Sequence, residues 1–169
     1  VSLSGTGVAP TPTDSGDVSF GSVAVGTTAG PSTVTITNGS TFAPLHIGSL
    51  VKIGANPTNF AIANELLECD GRGGTCTFEV TFSPTSVASF NDTVLVPNDS
   101  VTDPSLTVAL DGDGVVASIT SNGPISFTNV PIGTVGGPTT VTLTNTSTDA
   151  ALHIGNLQQV GADSSLFSI

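Results

Sequence analysis

Residues 32–50 read STVTITNGSTFAPLHIGSL, and residues 139–157 read TTVTLTNTSTDAALHIGNL. Within the first stretch, Val34 and Ile36 alternate with Thr33, Thr35 and Thr37. Alternation with β-branched residues predicts a strand that buries one face. The second stretch is the first displaced by 107 residues, from Leu45 to Leu152. That displacement runs without a gap from Val1/Val108 to Ile62/Ile169, with about half of the paired positions identical. A fixed period of this size marks an array of repeated units.

The displacement also sets the boundaries. Residues 3–8 (LSGTGV) match residues 110–115 (LDGDGV), so residues 1–8 correspond to the last strand of a preceding repeat. Residues 9–115 make one complete unit, long enough to bury its own core. Residues 116–169 match the first half of a second unit.

Alternation recurs along the complete unit. Cys76, Phe78, Val80 and Phe82 alternate with Thr77, Glu79 and Thr81, and Leu106, Val108 and Leu110 alternate with Thr107 and Ala109. Turn signals separate the runs, among them Gly30-Pro31, Asn38-Gly39, Ser83-Pro84 and Asp103-Pro104. Strands are predicted near 17–25, 32–38, 44–53, 59–64, 75–82, 90–97 and 104–111. Helical spacing is confined to 61–67, too short to hold by itself. Many short strands between turns predict an all-β antiparallel sandwich. In the second unit the inward set would be Phe127, Val141, Leu143, Leu152, Ile154 and Phe167.

Composition narrows the function. Two basic residues, Lys52 and Arg72, face thirteen acidic ones, for a net charge of -11. Phosphate backbones and anionic membrane surfaces both need Lys and Arg, so no nucleic-acid partner and no membrane insertion are expected. Charged residues make up only 9% of the chain, and Met, Trp and Tyr are absent. Such a surface points to an extracellular or cell-surface protein of a prokaryote.

The pieces VSFGSVAVGTT, STVTITNGSTFAPLHIGSL, CTFEVTFSPTSVASFNDTVLVPND and SLTVALDGDG follow one another in order. This series resembles the choice-of-anchor and Hydin-type immunoglobulin-like tandem repeats, and the resemblance covers essentially the whole chain. It implies β-sandwich modules of about a hundred residues, common in bacterial surface proteins, without enzymatic activity, catalytic residues or cofactors. The family also has intracellular ciliary members, so its name alone sets no compartment. The chain departs from the usual closing LSGTG at LDGDG, which adds Asp111 and Asp113 near the junction between units.

Few residues offer chemistry. Cys69 and Cys76 bracket a Gly-rich loop and are read first as a local disulfide, which places the chain in an oxidising compartment. A metal site would need two more ligands, and a redox pair a closer spacing. His46 and His153 occupy equivalent positions, read as outward strand residues, with a pH-sensitive or metal-bridging contact between units as the sharper alternative. Asp111 and Asp113 lie among glycines and are read as a solvated turn, with a calcium-stiffened linker as the alternative. Asn38, Asn91, Asn98 and Asn145 each open an Asn-x-Ser/Thr sequon and are candidate glycosylation sites. An isopeptide would need a buried Lys, and Lys52 corresponds to Gln159.

These readings converge on a non-enzymatic structural module of a surface stalk, adhesin or filament. The alternatives are an accessory binding module of a larger secreted enzyme and an intracellular scaffold repeat. Half a sandwich leaves apolar surface that something must cover. The expected partners are neighbouring repeats of the same chain or other copies in head-to-tail assembly. Continuing chain is the favoured cover, because residues 1–8 supply one strand where roughly three are missing.

Overall fold

The computed structural model describes residues 1–69 and 73–169; Asp70, Gly71 and Arg72, in the Gly-rich loop, lie outside the described residues. The chain divides into two units, Val1–Val116 and Ala117–Ile169.

The first unit carries strands β1 (Pro12–Asp14), β2 (Val18–Ala24), β3 (Ala29–Asn38), β4 (Leu45–His46), β5 (Val51–Lys52), β6 (Phe60–Leu66), β7 (Glu68–Cys69), β8 (Thr75–Phe82), β9 (Ser89–Pro97) and β10 (Ser105–Val115). Two four-stranded sheets form, in the orders β1-β3-β8-β6 and β2-β10-β9-β5. Their inner faces share one core. Strict alternation in β8, β9 and β10 places every second residue in it, including Phe78, Val80, Phe82, Val94, Val96 and Val108. Phe82 sits at the aromatic centre, its ring centroid 4.8 Å from Phe60 and 5.7 Å from both Phe20 and Phe90. Burying such rings supplies both apolar area and geometric selectivity.

Several expectations need correction. The run 44–53 is not one strand. β4 pairs with β7 and β5 with β9, while Gly48 between them donates its N–H to the Pro97 carbonyl at 2.8 Å. The strand expected near 59–64 does form, as β6 at 60–66, because β8 offers a ladder and Phe60 buries opposite Phe82. The sandwich is not wholly antiparallel, since β2 runs parallel to β10, with Leu110 opposite Val18 and Gly114 opposite Val23.

The segment Asp111-Gly112-Asp113-Gly114 is not a turn. It continues β10, antiparallel to β9, with both glycines turned inward and buried. A Cβ on Gly112 would lie 2.6 Å from the Phe82 ring, and one on Gly114 would lie 2.1 Å from the Ser86 carbonyl oxygen. Glycine serves here for close approach rather than flexibility. Residues 1–8 match this end of β10 in sequence but form no strand and are exposed.

The second unit holds β11 (Ile119–Ser121), β12 (Leu143–Asn145) and a 3-10 turn at Ser164–Leu166. β11 and β12 pair as Ile119↔Asn145, Thr120↔Thr144 and Ser121↔Leu143. This is the β1–β3 register of Pro12↔Asn38, Thr13↔Thr37 and Asp14↔Ile36, shifted by 107 residues. Phe127 and Phe167 lie 6.1 Å apart, as their counterparts Phe20 and Phe60 lie 6.2 Å apart. The inward set expected for this unit is nevertheless not buried: Phe127, Val141, Leu143, Ile154 and Phe167 are exposed, and Leu152 is half-buried. In the first unit the same positions are covered by β8, β9 and β10, which have no counterpart in residues 116–169.

Gly112→Val should lower the stability of the first unit by about 1–3 kcal/mol through overpacking against Phe82. The equivalent Gly5→Val, at a glycine in open space, should stay within about 0.5 kcal/mol. Urea unfolding followed by circular dichroism compares the two.

Candidate functional site

Cys69 ends β7 and Cys76 lies at the start of β8; their sulfurs are joined in a disulfide with Cα atoms 4.7 Å apart. Both cysteines are buried, with Cys76 opposite Ile36 on β3 and Cys69 opposite Leu45 on β4. The bond therefore ties the β4–β7 ribbon to the β3–β8 sheet. Closing so short a loop stabilises by about 2–3 kcal/mol in the chain-entropy account. Open grooves flank β7, one lined by Leu45, His46, Leu67 and Glu68, the other by Glu65, Leu66, Thr75 and Thr77.

His46 points outward, as the alternation implies, and finds a partner that sequence spacing did not suggest. Its Nδ1 lies 2.6 Å from Asp99 Oδ2, and its backbone N–H donates to Asp99 Oδ1 at 3.0 Å. Asp99 N–H in turn donates to the His46 carbonyl. The His46 backbone N–H, followed by its ring, holds the Asp99 carboxyl below the usual aspartate range. The pair is open to solvent, so its contribution is modest. Among the described residues no hydroxyl is bonded to the other ring nitrogen, so the pair is not arranged as a nucleophile-activating dyad. His153 is exposed, and no counterpart of Asp99 exists within residues 116–169.

Asp111 and Asp113 project from the outer face of β10 and are held separately. Ser19 on β2 donates to Asp111 Oδ2 at 2.6 Å, and Ser89 on β9 donates to Asp113. Asp17 nearby accepts from the Ala109 N–H at 2.8 Å. Among the described residues no group of three or more His, Cys, Asp or Glu side chains gathers as a metal site would require. The calcium alternative thus has no assembled ligand set.

The four sequon asparagines separate by environment. Asn38 is fully buried; its Nδ2 donates to the Ala43 carbonyl at 2.8 Å and its Oδ1 accepts from Ser40 and Thr11 N–H groups. A glycan on that nitrogen would have no room and would disrupt this turn, so Asn38 is corrected from sugar acceptor to turn keystone. Asn145 builds the same turn, donating to Ala150 at 2.8 Å and accepting from Ser147 at 3.0 Å. The repeated sequon is thus a repeated hydrogen-bonded turn. Asn98 accepts from Ser100 N–H at 2.9 Å in another local turn. Asn91 is exposed on β9 and remains a sterically open candidate.

One buried carboxylate escaped the sequence reading. Asp92 is buried between Phe90 and Val94, where strict alternation places it inward. Its Oδ1 accepts from the Gly54 and Thr93 N–H groups, pinning the loop after β5. Its Oδ2 has no hydrogen-bond partner among the described residues. The inward parity in FNDTVLV was the available signal. Lys52 spends its ammonium on the Pro57 and Phe60 carbonyls on the other flank of that loop.

Asn38→Ala should cost about 1–3 kcal/mol by stranding buried backbone groups, whereas Asn91→Ala should stay within about 0.5 kcal/mol; chemical denaturation measures both. A carboxylate with a depressed folded-state pKa stabilises above its unfolded pKa and loses that contribution as pH falls through the folded pKa. Wild type should therefore exceed Asp99→Asn in stability near neutral pH. The gap should close on acidification through and below the ordinary aspartate range of about 4, as read from unfolding midpoints along a pH series.

In a sequence search no curated protein matches the chain. Among solved structures, a protein of unknown function from Porphyromonas gingivalis W83 matches with TM-score 0.52 and 13% identity, over 62% of this chain and 46% of that one. The VesB protease of Vibrio cholerae matches with TM-score 0.50 and 14% identity, over 60% of this chain and 31% of that one. The ASH / PapD-like domain 7 of human CEP192 matches with TM-score 0.48 and 15% identity, over 70% of this chain and 94% of that one. The chain thus spans less than half of each of the first two, and at these identities the likeness concerns the fold. The family model described as ASH, abnormal spindle-like microcephaly-associated, ASPM-SPD-2-Hydin, matches residues 7–106, more than half the chain. With its sandwich and its Hydin-type motif series, the chain belongs to the ASH family.

Proposed function

We propose that the chain is part of a tandem array of non-enzymatic, exported immunoglobulin-like modules that act mechanically, as a stalk, adhesin shaft or filament. The observation that supports this best is the repeated register: β1–β3 in one unit and β11–β12 in the next pair residue for residue at the same displacement. Units built alike in series are suited to spacing and load bearing. The Cys69–Cys76 bond supports an oxidising compartment. The surface, rich in Thr and Ser and poor in Lys, agrees with an extracellular or cell-surface site. No helix among the described residues is long and apolar enough to cross a membrane. Kinship to choice-of-anchor repeats belongs to this reading and rests on the motif series alone.

A second reading has one observation in its favour. The likeness to VesB covers 31% of a chain described as a protease, which is the arrangement expected of an accessory module beside a catalytic domain. The intracellular scaffold reading fits the family name but leaves the buried disulfide without a role.

Antibodies against the chain should label intact, unpermeabilised cells of the source organism along extended structures with a regular axial repeat, seen by immunogold electron microscopy. Label seen only after permeabilisation would overturn the exported reading. Label confined to dispersed particles with protease activity would favour the accessory module.

A further inference from the structure

Asn38-Gly39 and Asn122-Gly123 are the two Asn-Gly pairs of the chain. In such a pair the asparagine amide is lost readily, because glycine has no Cβ to hinder attack by its own backbone nitrogen on the side chain before it. At Asn38 the Gly39 nitrogen would give up its proton to solvent base and bond to Asn38 Cγ. The Cγ–Nδ2 bond breaks, the amide nitrogen leaves as ammonia, and a cyclic succinimide closes. Water then adds to either ring carbonyl and breaks its bond to the ring nitrogen, leaving aspartate or isoaspartate. One water is consumed and one ammonia released, with no oxidant or reductant.

The folded first unit holds every group in that step. Asn38 is 0% exposed. Its Nδ2, the leaving nitrogen, donates to the Ala43 carbonyl at 2.8 Å. Its Oδ1 accepts from the Ser40 N–H at 3.0 Å and the Thr11 N–H at 3.3 Å. The attacking nitrogen, that of Gly39, donates its proton to the Thr11 carbonyl at 2.9 Å. Asn38 also ends β3, paired with Pro12, and its backbone N–H donates to the Gly74 carbonyl at 2.9 Å. Ring closure would break the bonds of the amide and of Gly39 together, and would need base and water at a position closed to solvent.

The equivalent turn at Asn145 is fastened in the same way without the same chemistry. Asn145 Nδ2 donates to the Ala150 carbonyl at 2.8 Å, and the next N–H, that of Thr146, donates to the Ser118 carbonyl at 2.8 Å. Thr146 stands where the first unit has Gly39, and its β-branched side chain crowds the nitrogen. The hydrogen bonds of this turn therefore do not demand an Asn-Gly pair. Packing favours glycine at 39, where a Cβ would lie 2.9 Å from Thr11 Oγ1.

We propose that Asn38-Gly39 is a modification site gated by folding: inert while the first unit is closed, and deamidated when the unit opens. Either product keeps the turn from closing as before. Aspartate has no N–H for the Ala43 carbonyl and brings a charge to a fully buried position. Isoaspartate adds a main-chain carbon at the end of β3, which puts the strand out of step with its partners β1 and β8. A unit that has opened is thereby marked, and the mark persists because the ammonia is lost to solvent. The site is independent of the array reading and of any partner.

The test incubates the full chain in mildly alkaline buffer, folded or unfolded in urea, and follows Asn38, Asn122 and Asn145 by peptide mapping with mass spectrometry. In urea, Asn38 should convert within roughly threefold of the Asn122 rate and at least about tenfold faster than Asn145, because only the following residue then matters. In the folded chain, Asn38 should convert at least about a hundredfold slower than in urea, since the open fraction of a stable unit is roughly 10⁻³ or less. Below the unfolding transition its rate should climb with urea in parallel with the unfolded fraction read by circular dichroism. Asn38→Asp should raise the unfolded fraction at least about tenfold, or fail to fold. Equal rates in the folded and unfolded chain, a rate in urea no faster than at Asn145, a folded rate indifferent to urea, or an Asn38→Asp chain as stable as wild type would each overturn the proposal.

Discussion

Strand β10 is the member on which the second sheet depends. It holds β9 through a nine-pair antiparallel ladder and β2 through a parallel one. Backbone groups drawn into a core must find partners, and a strand without a neighbour leaves a row of them open. The two units display both outcomes. Where β10 is present, β2 forms and its valines are buried; at residues 125–131 the same kind of sequence stays irregular and exposed. By contrast β1–β3 and β11–β12 form in both units, because both partners lie within the first forty residues of the repeat.

The close fit of β10 across the sandwich rests on two missing side chains. Gly112 and Gly114 let the backbone come against the Phe82 ring and the 84–86 loop. Phe82 is the hub around which Phe20, Phe60 and Phe90 are arranged. The aromatic cluster and the glycine pair are thus one packing solution. The disulfide braces the other end, where β7 and β4 add a short ribbon beside Cys76.

Residues that suggested chemistry act chiefly as structural fastenings. Asn38 and Asn145 close equivalent turns, Asp111 and Asp113 each take one serine hydroxyl, and His46 pairs with Asp99. Polar groups at strand ends and in turns find local backbone partners readily. Among the described residues they do not gather into a group of three or more that could hold a metal ion.

Period-two alternation was enough, from the sequence alone, to read an all-β sandwich and the core face of β8, β9 and β10, and two cysteines bracketing a short loop were enough to make Cys69–Cys76 the first choice of pairing. These are local or periodic properties, so linear order contains them. The tertiary structure decided what depends on distant neighbours. It split 44–53 between two partners, ran β2 parallel to β10, brought Asp99 to His46 across 53 residues, and turned an apparent Asp-Gly linker into a strand pressed on Phe82. It also left the second unit's apolar positions exposed, because burial belongs to a pair of faces and a sequence pattern specifies only one of them.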